Sequence, residues 1–497
     1  MTCRAPARSD GPQTEAGSAR QFSLSAAAFS LSDGEPRFRR VPNPMTPSPS
    51  SARPERSSYR WIVCGLLLFA TTFNYLDRQV ISYLKEYFCT PVAQGGFGWS
   101  NTDFANLTSF FTAFYAGMTI VSGWVIDKIG TKLGLALCLI VWSVFGIANA
   151  FVGRLVAMHI LVRSAFGIGE GGNFPASIKT VAEWFPKRER ALATGIFNSG
   201  TNVGAMIASL FVPWCMIHYG YAKGWKMAFI LTGALGFVWL IFWYWLYDTP
   251  AKQQRLSKEE FDYIHSDSEV VEDITQDRAK IPWRKLFGYR QTWAFFMGKF
   301  MTDGVWWFYL FWLPDYLKKQ FGMTPEQVRL PTFLVYGVAI IGSIYGGSIP
   351  MTFIKKGMPI YRARMLAMLL IAFFPLTVLS TQYFGNVSRF GSMAAVLAVA
   401  TICVAAAAHQ AWSANLFTTV SDMFPKKAVD TVTGIGAMAG GIGGVLVQKL
   451  AGGLTDAFSA TPQTAYLMMF MVCATSYLIA WAIIKTLVPR HQPITNL

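Results

Sequence analysis

Long apolar runs separated by short polar connections dominate the chain, and they fall into two sets of six. The first set covers about 61–83, 104–126, 133–152, 155–178, 191–217 and 226–247; the second covers about 291–314, 331–354, 364–384, 390–414, 431–451 and 465–487. Each run comes to the roughly 20 residues with which an apolar helix crosses a bilayer. The pattern predicts an all-α membrane protein with twelve transmembrane helices in two six-helix bundles, 59–248 and 291–488, joined by a polar linker at 249–290. Within that linker LSKEEFDYI, residues 256–264, is amphipathic and is expected to lie along the cytoplasmic surface as a strut.

Two terminal stretches lie outside the pattern. Residues 1–58 are rich in Ser, Pro, Ala and Arg and read as a disordered cytoplasmic tail, and residues 489–497 form a short C-terminal one. QFSLSAAAFSLS is too polar for the apolar core of a signal peptide; an over-long start, with Met45 as the first residue, is the alternative.

Composition agrees with the span pattern. Charged residues make up 14% of the chain and hydrophobic ones 53%, against about 25% charged in a soluble domain, which excludes an ordinary cytosolic enzyme, a disordered chain and a fibrous one. The net charge of +16 is a matter of topology rather than of nucleic acid. Of 43 Lys and Arg, 31 fall in the tails and the connections after even-numbered spans and 8 after odd-numbered ones, which predicts both termini on the cytoplasmic side of a plasma (bacterial inner) membrane. Seven scattered cysteines with no CxxC pair give neither a disulfide framework nor a metal site, and no cofactor is expected.

The halves also repeat one another. Glu183-Trp-Phe-Pro-Lys-Arg with Thr194-Gly-Ile matches Asp422-Met-Phe-Pro-Lys-Lys with Thr433-Gly-Ile at a constant offset of 239, Gly204 pairs with Gly443, and SYLKEYF at 82 is echoed by DYLKKQF at 315. Parallel six-helix repeats are the mark of transporters that rock around a central site.

Four cations, Arg78, Arg163, Lys299 and Lys449, lie inside apolar runs, as do the acids Asp77, Glu170 and Asp303. A charge at mid-membrane costs about 2.5–3.5 kcal/mol on the insertion scale, so such residues imply a function. Arg163 and Glu170 stand seven apart, hence on one helix face about 10.5 Å apart, among glycines 167, 169, 171 and 172. Burial disfavours the charge on a lone carboxylate; with a proton on Asp77 or Glu170 the cluster becomes cationic and suits a carboxylate substrate. The repeat offset sets His409 opposite Glu170 in the central cavity, where a satisfied core histidine is the stronger reading than a proton site. Permanent Arg–acid pairing is the structural alternative for Asp77 and Glu170, and mutual neutralisation for Lys299 with Asp303. Lys449 is expected to snorkel, and Trp306, Trp307 and Tyr309 to form a belt or stack on a sugar ring. Tyr75, Tyr115, Asn198, Thr201, Gln410, Ser413 and Asn415 are hydroxyl-binding candidates at cavity depth, helix packing being the alternative.

Gly123-Trp-Val-Ile-Asp127-Lys128-Ile-Gly130-Thr-Lys132 resembles the cytoplasmic loop motif of the major facilitator superfamily. The resemblance implies that Gly123 and Gly130 allow close helix approach and that Asp127, with Lys128 and Lys132 nearby, holds a conformational state by pairing with a neighbouring helix. GIGEGGNFPASIKTVAEWFPKRERALATGIFNSG, residues 167–200, with Arg163 and the Asp77-Arg78 pair of FNYLDRQ, is similar to the anion:cation symporter branch of that superfamily. GWKMAFILTGALGFVWLIFW and AHQAWSANLFTTVSDMFP resemble the hexuronate permeases within it, while the eleventh span, GIGAMAGGIGGV, lacks the asparagine of some sugar-acid relatives.

The resemblance implies a proton-coupled symporter, not an enzyme, for a sugar-acid monocarboxylate, a hexuronate first, with galactonate, tartrate or an aromatic acid as alternatives. Sodium is the alternative coupling ion. Arg78 and Arg163 would bind the carboxylate, Asp77 and Glu170 carry protons, and Lys299, His409 and Gln410 would hold the far end, with Asp303 and Trp307 as further substrate-binding candidates. The expected partners are this substrate and the lipid bilayer, with no nucleic acid, and the protein is expected to be a monomer.

Overall fold

The computed structural model describes residues 58–266 and 283–494. The expected N-terminal tail, apart from Ser58, therefore lies outside the described residues, as do linker positions 267–282 and the last three residues. Among the described residues there is helix and loop but no strand.

The first half contains α1 (Tyr59–Cys89), α2 (Asn101–Ile129), α3 (Thr131–Ala148), α4 (Val156–Glu170), α5 (Asn173–Trp184), α6 (Lys187–His218) and α7 (Gly220–Leu246). The linker supplies α8 (Lys258–Ile264). The second half contains α9 (Arg290–Phe321), α10 (Pro325–Gly346), α11 (Ile349–Lys355), α12 (Ile360–Phe373), α13 (Met393–Met423), α14 (Lys426–Ala457) and α15 (Pro462–Leu487).

Local sequence explains the boundaries. Ser100 opens α2 with a capping box, its hydroxyl accepting from Asp103 N while Asp103 accepts from Ser100 N, and Thr324 with Gln327 does the same for α10. Gly130 turns the chain from α2 to α3 at φ +83°, a left-handed conformation that favours glycine. The expected fourth span, 155–178, is interrupted at Gly171 and Gly172 and restarts as α5, whose first turn holds Pro175, where the missing N–H has no helical partner to lose.

Among the described residues nine segments are long and apolar enough to cross a membrane, 101–129, 131–151, 192–218, 220–246, 325–355, 360–384, 393–423, 431–457 and 462–487. Apolarity thus supports nine of the twelve expected spans. The other three expected spans correspond to α1, α4 and α9, which are too short or not apolar enough for that test. These are the helices that carry Asp77, Arg78, Arg163, Glu170, Lys299 and Asp303.

The two halves use the same packing plan. α1 packs on α6 and α7 as α9 packs on α14 and α15, and α2 packs on α4 as α10 packs on α13. Gly204 and Gly443, matched by the repeat, sit at equivalent crossings: a Cβ would come within 2.8 Å of Tyr75 Cβ at the first and 3.0 Å of the Phe300 backbone carbon at the second. Between the halves α2 meets α14 and α6 meets α10, again a symmetric pair of contacts.

Polar bonds across the halves concentrate at the end where α1 finishes and α2 begins. Lys85 and Asp315 form a 2.6 Å ion pair with side chains 1% and 4% exposed, Tyr466 donates a further hydrogen bond to Asp315, and Lys318 pairs with Glu86 at 2.6 Å. Asp456 of α14 accepts from the backbone N–H groups of Asn101 and Thr102 at 3.0 and 2.7 Å, so the second half caps the N-terminus of α2. Gln448 accepts from Trp312 Nε1 and from Thr108. At the opposite end Asp127–Lys179, Lys132–Asp248 and Arg364–Asp422 each stay within one half. The linker is clasped there to the first half: buried Glu260 of α8 accepts from Tyr59 N, Arg60 N and Arg60 Nη1.

Replacing Lys85 by Ala leaves Asp315 buried without its main counter-ion, a loss of about 3–5 kcal/mol that favours parting of the halves at this end. A cysteine at Thr108, between α2 and α14, is expected to react severalfold faster with a water-soluble maleimide in the Lys85→Ala background. The exchange Lys85→Asp with Asp315→Lys should restore protection, and equal labelling in all backgrounds would remove the lock.

Candidate functional site

α1, α2 and α4 bring the intramembrane charges of the first half together. Arg78 Nε donates to Glu170 Oε2 at 2.8 Å, with both side chains at most 1% exposed, and Arg78 Nη2 donates to Asn74 Oδ1 at 3.2 Å. Arg163 Nη2 donates to the Arg78 carbonyl at 3.1 Å. Asp77 is buried with Thr232, Trp142 and Arg163 among its polar neighbours. The seven-residue spacing on α4 therefore sets Arg163 and Glu170 to either side of the Asp77-Arg78 pair on α1.

Rings from both halves enclose the Arg78 guanidinium. Its central carbon lies 4.2 Å from the Tyr75 ring, 4.5 Å from Tyr115 and 5.3 Å from Trp307 of α9. Trp307 also meets Tyr115 edge-on at 5.9 Å. Phe166 covers Arg163 at 4.6 Å. These rings exclude water while leaving the cations a favourable face.

The hydrogen-bonding capacity of the cluster is unevenly used. Arg78 Nη1, Arg163 Nε and Nη1, both Asp77 oxygens and Glu170 Oε1 are buried without a hydrogen-bond partner. Buried polar groups are almost always paired, because an unmet one costs about 1–3 kcal/mol and more when charged. The free donors suit an anion with two acceptor oxygens, and the free acceptor oxygens suit a proton.

In the second half Lys299 and Asp303 pair at 2.7 Å on one face of α9, and Lys299 lies 4.5 Å from the Phe417 ring. Trp307 is one turn further along that face, so α9 carries Lys299, Asp303 and Trp307 in a row toward Arg78. His409 is enclosed: its Nδ1 shares a 2.7 Å hydrogen bond with the Tyr477 hydroxyl and its ring stacks on Trp306 at 4.9 Å. Asn415 Nδ2 donates to the carbonyls of Gly346 and Ala411, which ties α13 to the end of α10. Asn198, Thr201, Gln410 and Ser413 are half-buried on α6 and α13, and none of the described hydrogen bonds joins them to Arg78. Lys449 bonds Asn106 across the halves.

The loop motif forms a separate cluster. Asp127 pairs with Lys179 of α5 at 2.9 Å, Lys132 with Asp248 at 3.0 Å, and Lys128 lies over Trp124; Gly123 has open space where a Cβ would stand. Sequence inspection passed over Asn74, Phe111 and Phe166 around the arginines, and Lys85, Asp315, Gln448 and Asp456 between the halves. The SYLKEYF and DYLKKQF echo was the available signal for Lys85 and Asp315.

The family profile described as Major Facilitator Superfamily matches residues 67–448. The hexuronate transporter of Escherichia coli (strain K12) is 29% identical over 427 residues, covering 86% of this chain and 94% of that one. The galacturonate transporter of Dickeya chrysanthemi is 33% identical over 300 residues, 60% of this chain and 83% of that one. Among solved structures, the bacterial homolog to the human lysosomal transporter Spinster, titled as inward-facing and occupied, superposes with a TM-score of 0.65 at 19% identity over 87% of this chain and 97% of its own.

Glu170→Ala leaves Arg78 dry and without its counter-ion, and a loss of about 3–5 kcal/mol is expected. Glu170→Gln keeps an acceptor for Arg78 Nε and should lose less. Melting curves of the purified variants in detergent check this order; an alanine variant as stable as wild type would mean the pair does not carry the fold here.

Proposed function

Because the chain belongs to the Major Facilitator Superfamily, a family of transporters and not of enzymes, we propose that it is a proton-coupled symporter of a sugar-acid monocarboxylate, a hexuronate first. The membrane is the bacterial inner one, crossed twelve times with both termini in the cytoplasm. The observation that carries this is the set of unpartnered donors on Arg78 and Arg163 beside the unpartnered oxygens of Asp77 and Glu170. The hexuronate and galacturonate carriers among its relatives support the choice of substrate.

Charge balance supplies the coupling. Asp77 and Glu170 against Arg78 and Arg163 sum to zero, so the empty cluster is neutral. A monocarboxylate alone adds one negative charge to a site that holds little water, which opposes any movement that would seal it further. One proton arriving with the substrate restores neutrality. Taken up by Glu170, it weakens the hold on Arg78 Nε and frees that donor for the substrate carboxylate, with Arg163 Nη1 and Nε as the second contact. The halves then rock about the site, opening the Lys85–Asp315 end in one state and the opposite end in the other. When the proton leaves, Glu170 takes Arg78 back, and the neutral empty carrier can return.

Uptake of labelled glucuronate and galacturonate into proteoliposomes, with and without an inward proton gradient, tests this. Wild type is expected to accumulate substrate only with the gradient, one proton per substrate and without net charge movement. Glu170→Gln should exchange substrate across the membrane but not accumulate it, and Arg163→Ala should lose uptake while remaining folded. A sodium gradient that drives wild type in place of protons, or uptake retained by Arg163→Ala, would overturn the assignment.

A further inference from the structure

The second half carries one ion pair on the face of α9 that looks toward Arg78. Lys299 Nζ lies 2.7 Å from Asp303 Oδ2, and the Asp303 side chain is 20% exposed where Arg78 and Glu170 are sealed. Trp307, four residues on, contacts Arg78 at 5.3 Å. Asp303 thus stands one helical turn, about 6 Å, from the ring that closes the arginine site, and the distance from Arg78 to Asp303 is on the order of 10 Å. Tyr75 of the first half also lies within the electrostatic reach of Asp303.

The facing helix is shaped to hold this carboxylate. A Cβ on Gly440 of α14 would collide with the Asp303 carboxylate, standing 3.0 Å from Asp303 Cβ, and one on Gly444 would stand 2.6 Å from Trp307 Cδ1. The i, i+4 pair Asp303 and Trp307 is laid into an i, i+4 pair of glycine notches. The bare backbone of α14 therefore leaves recognition on this side to α9.

We propose that Asp303, set by Lys299 and Gly440, is a specificity-determining residue that accepts hydroxyl hydrogens at the end of the substrate remote from Arg78 and turns away a second carboxylate. The inference rests on the sugar-acid reading above. A substrate whose carboxylate lies on Arg78 and Arg163 presents its other end to Asp303. A hydroxyl there donates to the carboxylate; a second carboxylate meets its charge at close range, and Lys299 is already engaged. Without the Asp303 charge, Lys299 becomes a free cation at the same spot, and the preference turns toward the dicarboxylate.

The test compares two acids with one carbon skeleton, glucuronate and glucarate, which differ in whether the far carbon is oxidised to a carboxylate. In proteoliposomes, the ratio of kcat/KM for glucarate to that for glucuronate is expected to be low in wild type. In Asp303→Asn it should rise by about tenfold or more, mainly through KM. Adding Lys299→Gln should cancel the gain. Gly440→Ala, which pushes on Asp303 without removing its charge, should move the ratio the same way by a smaller factor, and it carries the test if the aspartate variants do not fold. An unchanged ratio in active Asp303→Asn protein overturns the proposal. Wild type that takes up neither hexuronate nor glucarate counts against the substrate reading instead, and galactonate with galactarate then supplies the same comparison.

Discussion

The Arg78–Glu170 pair is the constraint around which the first half is arranged. Two full charges at mid-membrane need each other at hydrogen-bond distance, and the long Arg78 side chain of α1 supplies the reach to Glu170 on α4. Glycines at the end of α4 seat that helix against α2 and α3, which fixes where Glu170 stands: Cβ atoms on Gly167 and Gly171 would stand 2.7 Å from backbone oxygens of α2, and one on Gly169 would stand 2.5 Å from the Trp142 backbone nitrogen of α3. The aromatic enclosure of Arg78 follows as well. A cation that must stay dry, yet be released to a substrate, is better surrounded by ring faces than by fixed carboxylates, because ring faces hold it weakly and do not compete for its donors.

That pair and the Lys85–Asp315 pair act in different coordinates. Arg78–Glu170 lies within one half, and in the proposed cycle it would change with occupancy; Lys85–Asp315 joins the halves and would change with conformation. Trp307 connects them physically, since its ring touches Arg78 and its carbonyl accepts from Gln448, which also receives Thr108 and Trp312. In the proposed cycle a substrate that displaced Trp307 from Arg78 would therefore disturb the packing of α9 against α14 and α2. Occupancy and closure are thereby linked through contacting groups.

The sequence pattern located the helices because apolar run length is a local property that a bilayer imposes directly. It located Asp77, Arg78, Arg163 and Glu170 for the complementary reason: a charge within an apolar run is conspicuous. Lys85 and Asp315 were missed because they lie where runs give way to polar connections, and a buried interface charge there looks the same as a solvated one. The echo between the two segments recorded that the segments correspond but not that Lys85 of one faces Asp315 of the other. His409 shows the opposite limit. The repeat put it opposite Glu170, while the Tyr477 hydroxyl and the Trp306 ring enclose it, and those partners come from helices whose register one chain cannot supply. Gly440 is similar: the sequence marked a glycine-rich helix, and only the packing of α9 on α14 gives one of those glycines a carboxylate to accommodate.

The two charge clusters nearest the middle of the described bundle each hold equal numbers of acids and bases: Asp77, Glu170, Arg78 and Arg163 in the first half, Lys299 with Asp303 in the second. For a carrier that must seal its site from both sides in turn, this equality is a mechanical requirement, since a net charge in the sealed state costs several kcal/mol that a neutral cluster avoids. Neutral clusters let the empty form reorient. In the proposed cycle an anion without a proton would then be the species that cannot reorient, so coupling of the two fluxes would follow from electrostatics, without any moving gate dedicated to the proton.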